Sequence, residues 1–148
     1  MDITEGSPAA ELSNFVARTF TFRGLIAHSM EGLLQALKFR DPEKQKQIML
    51  LVGKAAKFKG KKSRWWKEQT LFWQGAEIKR DSEEFQLLLD EAFLALFTQD
   101  EGARALLLST GDAIITHTMG KQDPRTTILT EHEFVSRLMK IRASLMAC

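Results

Sequence analysis

Prolines stand only at positions 8, 42 and 124, so the long stretch between Pro42 and Pro124 is free of the strongest helix breaker. Helix signals recur along that stretch, and a mainly α fold is the natural result. The 148 residues are 44 % hydrophobic and 27 % charged, a mixture that supports one buried core rather than a disordered or fibrous chain. The expectation is a single multihelical domain over residues 12–148, with residues 1–11 as a loose arm and at most a small β element.

The expected helices follow from caps and periodicity. The first runs from Ser29 to Arg40, with Met30, Leu33, Leu34 and Leu37 as its buried stripe. Asp41 caps the second, where Pro42 sits at the first helical position and Glu43 meets the positive dipole end, and this helix extends to Ala56. Gly60 closes the basic segment that follows. A third helix covers Arg64 to Trp73. Asp81 and Glu84 have capping-box spacing for a fourth, which buries Phe85, Leu88, Leu89, Ala92 and Leu96 as the core helix. A short helix from Glu101 to Leu108 stops at Gly111. Thr130 and Glu133 repeat the capping box ahead of a last helix with Phe134, Leu138, Ile141 and Leu145 inward. Alternation at Thr19-Phe20-Thr21-Phe22 and β-branching at Ile114-Ile115-Thr116 are the only strand signals.

The one cysteine, Cys148, has no partner, which excludes disulfide stapling and suits a reducing, cytoplasmic setting; at a terminus it reads as inert. No apolar run approaches the roughly 20 residues that cross a bilayer, so neither secretion nor a membrane is expected. Net charge is only +2, but it is unevenly spread. Lys54, Lys57, Lys59, Lys61, Lys62, Arg64 and Lys67 follow one another with no acid between, so this segment carries +7 and the rest of the chain −5.

Common cofactor motifs are missing, and His28, His117 and His132 lack metal-ligand spacing, so neither a metal nor an organic cofactor is expected. What stands out is the first helix. Glu31, Gln35 and Lys38 fall at i, i+4 and i+7, which lines up a carboxylate, an amide and an ammonium beside the apolar stripe. On spacing alone a solvated, salt-bridging face looks the same. The basic segment interleaves Phe58, Trp65 and Trp66 with its cations, a mixture that holds phosphate by charge while an aromatic face stacks on a base. The plainer alternative is one core tryptophan and a solvated lysine loop, with two or three lysines at most touching a ligand. After the fifth helix, Gly111, Asp112, His117, Asp123 and Arg125 form a polar run where functional loops often lie; equally, Asp112 could cap and His117 could pack.

Taken together, these residues resemble the YbiA-like or NADAR family, whose members are N-glycosidases acting on ribosylated amines or ADP-ribosylated bases. The family's Ser-Asn-Phe looks like Ser13-Asn14-Phe15, and its Glu-x-x-x-Gln-x-x-Lys helix like Glu31, Gln35 and Lys38. Its Gly-x-x-Ala-Lys-x-x-Gly segment is similar to Gly53, Ala56, Lys57 and Gly60, its Trp after basic residues to Trp66, and its Thr-Gly-Asp turn to Thr110-Gly111-Asp112. The likeness runs from residue 12 to about 142. After the turn the family often has Leu-x-Glu and then Asp-x-x-Trp-Gly, whereas this chain has Ile115-Thr116-His117 and Asp123-Pro124-Arg125.

The resemblance implies hydrolysis of an N-glycosidic bond in an ADP-ribosylated base or nucleic acid, or in a ribosyl-phosphate nucleotide intermediate. Breaking a C1′–N bond builds positive charge on the sugar, and the leaving base needs a proton, so a carboxylate that orients water is the minimum equipment. Glu31 is the expected catalytic carboxylate and Asp123 the second, by analogy with glycoside hydrolysis. Lys38 and Lys57 would hold phosphate, Asn14 and Gln35 would read ribose or base edges, Trp66 would stack on the base, and Asp112 and His117 would complete the substrate site. A base in DNA or RNA would have to be single-stranded or flipped out, with the +7 segment following the backbone. The missing Trp-Gly and the histidine at 117 leave a second expectation: a protein that binds such a nucleotide in the same pocket without cleaving it.

Overall fold

The computed structural model describes residues 1–4 and 6–147, and Cys148 lies outside them. The chain forms a 3-10 turn (Ala10–Leu12), β1 (Phe20–Phe22), β2 (Leu25–Ala27), α1 (Met30–Ala36), α2 (Pro42–Met49), α3 (Gly53–Gly60), α4 (Trp65–Glu68), β3 (Thr70–Trp73), β4 (Ala76–Lys79), α5 (Glu83–Gln99), α6 (Glu101–Ser109) and α7 (Glu131–Met146). Helices dominate, and the strands form two separate antiparallel hairpins. No helix among the described residues is long and apolar enough to cross a membrane.

α1 is the centre. Every residue from Met30 to Ala36 is buried, including Glu31 and Gln35, so the solvated-face alternative for that stripe fails. Ser29 caps the helix by accepting from Gly32 N at 2.9 Å, and its hydroxyl donates to the Leu51 carbonyl at 2.8 Å. Gly32 lets the helix lie against bare backbone: a Cβ there would stand 2.6 Å from the Leu51 oxygen and 2.9 Å from that of Met49. The helix stops before Arg40 because the amides of Lys38 and Phe39 bond to Gln35 and Ala36, tightening its last turn.

That same packing splits the helix expected over 42–56. Asp41 and Pro42 start α2 as expected, but Val52 is extended and Gly53 adopts φ +56°, a left-handed value that favours glycine, before α3 restarts. The break turns the carbonyls around Met49 and Leu51 toward α1.

The helix expected over 64–73 is corrected more sharply. Gln69 takes φ +50° and ends α4 after one turn, and Thr70 begins a strand. Gln74 and Gly75, at φ +49° and +91°, join β3 to β4, and Arg23-Gly24, at +49° and +82°, join β1 to β2 in the same way. Two successive positive φ values are what a two-residue type I′ hairpin needs. The 114–116 strand is reduced to a parallel bridge between Thr116 and Asp2.

That bridge also overturns the loose arm. Ile3 is only 2 % exposed and Ala9 is buried. Thr116 Oγ1, Thr118 N and Thr118 Oγ1 donate to the Asp2 carboxylate at 2.7 to 2.9 Å, which hold it down at about 2. The rest of the core follows expectation: α5 buries Phe85, Leu88, Leu89, Ala92 and Leu96 together with Phe93, and Phe93 meets Phe134 of α7 at 5.8 Å between ring centres. Ser82 rather than Asp81 caps α5, accepting from Phe85 N, whereas the Thr130–Glu133 capping box forms as expected.

Candidate active site

A cavity of about 360 Å³ opens between α1, α3, the start of α4 and the chain from His117 to the first turns of α7. Asn14, Glu31, Gln35, Lys38, Lys57, Trp66 and His117 all line it. Seven of the nine residues singled out from the sequence are thus brought to one place, from parts of the chain a hundred residues apart. Asp112 and Asp123 are not in the lining.

Glu31 is 8 % exposed. Burial pushes its carboxyl above the usual range, while a hydrogen bond from Gln35 and the charges of Lys38 and Lys57 pull the other way. The bond is from Gln35 Nε2 to Glu31 Oε1, 2.8 Å, one helical turn apart. Gln35 in turn occupies the space left by the missing side chain of Gly60, since a Cβ there would overlap its amide. The Gln35 Oε1 atom, packed against Gly60, is buried without a hydrogen-bond partner among the described residues. Lys38 is brought down to about 8, first by burial, with the Glu31 charge opposing; its Nζ lies 5.8 Å from the ring centre of buried Trp65. Of the two adjacent tryptophans, Trp65 is therefore core and Trp66, half exposed at 50 %, is free to stack. Lys57, Lys61 and Lys121 complete a cationic wall.

These dependencies give a first expected result. Gly60 has no left-handed φ, so Gly60→Ala is compatible with α3, and the flexible Gln35 amide yields rather than the fold. Glu31 then loses its donor. Its carboxyl titrates at higher pH in the variant than in the parent, measured by carbon-detected NMR, with the thermal midpoint little changed; an unmoved titration would break the proposed dependence.

A family of bacteriophage proteins described as GP30.3 matches residues 6–143. The chain belongs to that family. A 17.1 kDa protein from the Gp30–rIII intergenic region of Enterobacteria phage T4 is 34 % identical over 143 residues, covering 93 % of this chain and 92 % of the relative. Among solved structures, the NMR structure of the E. coli protein YbiA superposes with a TM-score of 0.69 at 20 % identity, covering 99 % of this chain and 84 % of that one. The fold is YbiA's, as the sequence resemblance implied.

Two charged lining residues of this GP30.3 family member, Lys121 and Glu131, escaped sequence reasoning. Glu131, at the start of α7, places a second carboxylate in the cavity; Glu131 Oε1 accepts from His117 N at 3.3 Å and Oε2 from Gln122 Nε2 at 2.7 Å. Its position just after the Thr130 cap was the available signal, but acids there are ordinarily read as dipole partners. Asp123, expected as the second carboxylate, instead builds a turn. Its Oδ1 accepts from Arg125 N at 2.9 Å, which lowers its carboxyl, and its carbonyl accepts from Thr126 and Thr127. His117 packs edge-on against Phe134 at 5.5 Å, and burial lowers its basicity despite Asp2 and Glu131.

The cavity wall from Thr126 to Thr130 is held from behind. Arg80, 2 % exposed, donates through Nε to the Thr127 carbonyl at 3.2 Å and through both terminal nitrogens to Glu133 at 3.0 and 2.6 Å. Gln86 Nε2 donates to the same carboxylate at 2.7 Å, and Glu133 Oε1 accepts from Thr130 N at 2.8 Å.

Proposed function

We propose that this protein is an N-glycosidase that hydrolyses the C1′–N bond of an ADP-ribosyl or ribosyl-phosphate compound, working in the cytoplasm and needing no metal or organic cofactor. The observation that carries the reading is Glu31: a buried carboxylate lining a cavity that also holds Lys38, Lys57, Lys61, Lys121 and the half-exposed Trp66. A buried acid is costly unless it has work to do. In the reaction, the C1′–N bond breaks with its electron pair going to the base nitrogen. Water adds to C1′, its proton passes to the Glu31 carboxylate, and Glu31 hands that proton to the departing base nitrogen, so the base leaves neutral and the carboxylate is restored. The negative charge of Glu31 also favours the developing oxocarbenium ion. Glu131, the second carboxylate lining the cavity, binds sugar hydroxyls in place of Asp123. Lys38 and Lys57 hold phosphate oxygens as point charges. Trp66 stacks on the base, the Asn14 amide reads the ribose or base edge, and Gln35 holds Glu31 in place through its amide N–H. Asp112, exposed and outside the lining, has no part in this arrangement.

The test is incubation of the purified protein with ADP-ribosylated guanosine and with a ribosylamine phosphate, followed by mass spectrometry. Release of the base and of free ADP-ribose or ribose phosphate is expected. A second reading rests on His117 standing where the resembled family has a carboxylate: a protein that binds the nucleotide and leaves it whole. Tight binding with the ligand recovered intact favours that reading and rejects hydrolysis.

A further inference from the structure

α3 turns Gly53, Ala56 and Gly60 inward and presents its lysines to solvent. None of the seven cations between Lys54 and Lys67 forms an ion pair among the described residues, although the chain's other arginines and lysines supply seven such pairs. A concentration of positive charge without counter-charges is unfavourable by itself, because like charges repel. Two large aromatics stand open within it: Phe58 is 61 % and Trp66 50 % exposed. Lys62 Nζ lies 4.9 Å from the Phe58 ring centre and Lys67 Nζ 5.8 Å from that of Trp66. Trp66, Lys57 and Lys61 are shared with the cavity mouth, while Lys54, Phe58, Lys59 and Lys62 lie outside it.

We propose that this face of α3, continuing to Lys67, docks single-stranded nucleic acid, with phosphates on the lysines and unpaired bases on Phe58 and Trp66. The inference builds on the glycosidase reading in one respect: the docked strand delivers its target nucleotide into the adjoining cavity. Exposed ring faces select a single strand, since a duplex hides its base faces in the stack. A lipid surface fits poorly, because insertion needs a continuous apolar stripe, whereas Gly53, Ala56 and Gly60 of α3 face inward and its open face is mostly lysine.

The docking is measured with unmodified DNA, so it stands or falls apart from hydrolysis. Fluorescence anisotropy with labelled oligothymidine should give binding that weakens steeply with salt. The triple variant Lys54→Gln, Lys59→Gln, Lys62→Gln should bind at least about tenfold more weakly and flatten the logarithmic salt slope by about 2, at about 0.7 per phosphate contact on a single strand. Phe58→Ala, at an exposed site where folding is not at risk, should weaken binding by about tenfold, in the range of one lost base stack. Hydrolysis of the free ribosyl compound should be unchanged in both variants. Binding by the triple variant as tight as the parent's, preference for duplex DNA or for anionic phosphatidylserine vesicles, or no binding at low salt would each overturn the proposal. Docking without hydrolysis would instead retain it and remove the glycosidase reading.

Discussion

Glu31→Gln should lower turnover of an ADP-ribosyl or ribosyl-phosphate substrate by on the order of a hundred- to ten-thousandfold, the usual contribution of a positioned acid–base group. Glutamine keeps the shape, and its carbonyl oxygen can still accept from Gln35 Nε2 as Glu31 Oε1 does at 2.8 Å. The fold and substrate affinity should therefore survive. The pH profile provides the sharper measurement. In the parent, activity should fall as pH drops through the raised Glu31 value, because the carboxylate that takes the water proton becomes occupied. It should fall again as pH rises past about 8, where Lys38 loses the charge that holds phosphate. The variant should lose the acid limb and keep the alkaline one. Equal turnover in the two proteins, on a substrate that the parent cleaves, removes Glu31 from the reaction.

The features that make this prediction possible were partly written in the sequence. The Glu31, Gln35 and Lys38 stripe follows from helical periodicity, and so does its adjacency to Leu33 and Leu34. Its burial does not. A helix with polar residues on one side ordinarily shows that side to water; here Gly32 and Gly60 let α2 and α3 close over it, and nothing in the periodicity of α1 announces neighbours that lie two helices away. The break at Gly53 and the hairpin at Gln74-Gly75 were missed for a related reason. Each depends on a residue taking a positive φ inside a run that local propensity reads as continuous helix: Gly53 in the one case, and Gln69, which ends α4 and starts the strand leading to that hairpin, in the other. The alternation around Ile78, with Glu77 and Lys79 exposed on either side, was the signal that could have found the second hairpin. Asp123 and Glu131 exchanged places because both are acids near a turn, and only the path of the chain decides which of them faces the cavity.

That path depends on Arg80, where the largest loss of stability is expected. Arg80 and Glu133 are a buried pair in which each satisfies the other, and Arg80 also binds the carbonyl of Thr127 on the cavity wall. Replacing Arg80 by methionine keeps much of the volume and leaves the Glu133 carboxylate buried with only Gln86 and the Thr130 amide as donors. Removing one partner of a buried pair costs about 3–5 kcal/mol. For a domain of this size that loss lowers the thermal midpoint by about 6–20 °C, at about 2–4 °C per kcal/mol. The pH dependence should change as well. Burial pushes the Glu133 carboxyl up, but donation from Arg80, Gln86 and Thr130 outweighs it and leaves the group below its ordinary value. A depressed folded value supplies stability that is present above the unfolded value and is lost as pH falls. The parent should therefore lose stability on acidification through this group, whereas Arg80→Met, with its carboxyl released upward, should lose less over the same interval, read by denaturant melts at several pH values. The double variant Arg80→Met, Glu133→Gln should recover part of the stability, since it removes the stranded charge. If the double variant were no more stable than the single one, the cost would lie in the lost grip on Thr127 and not in the buried carboxylate.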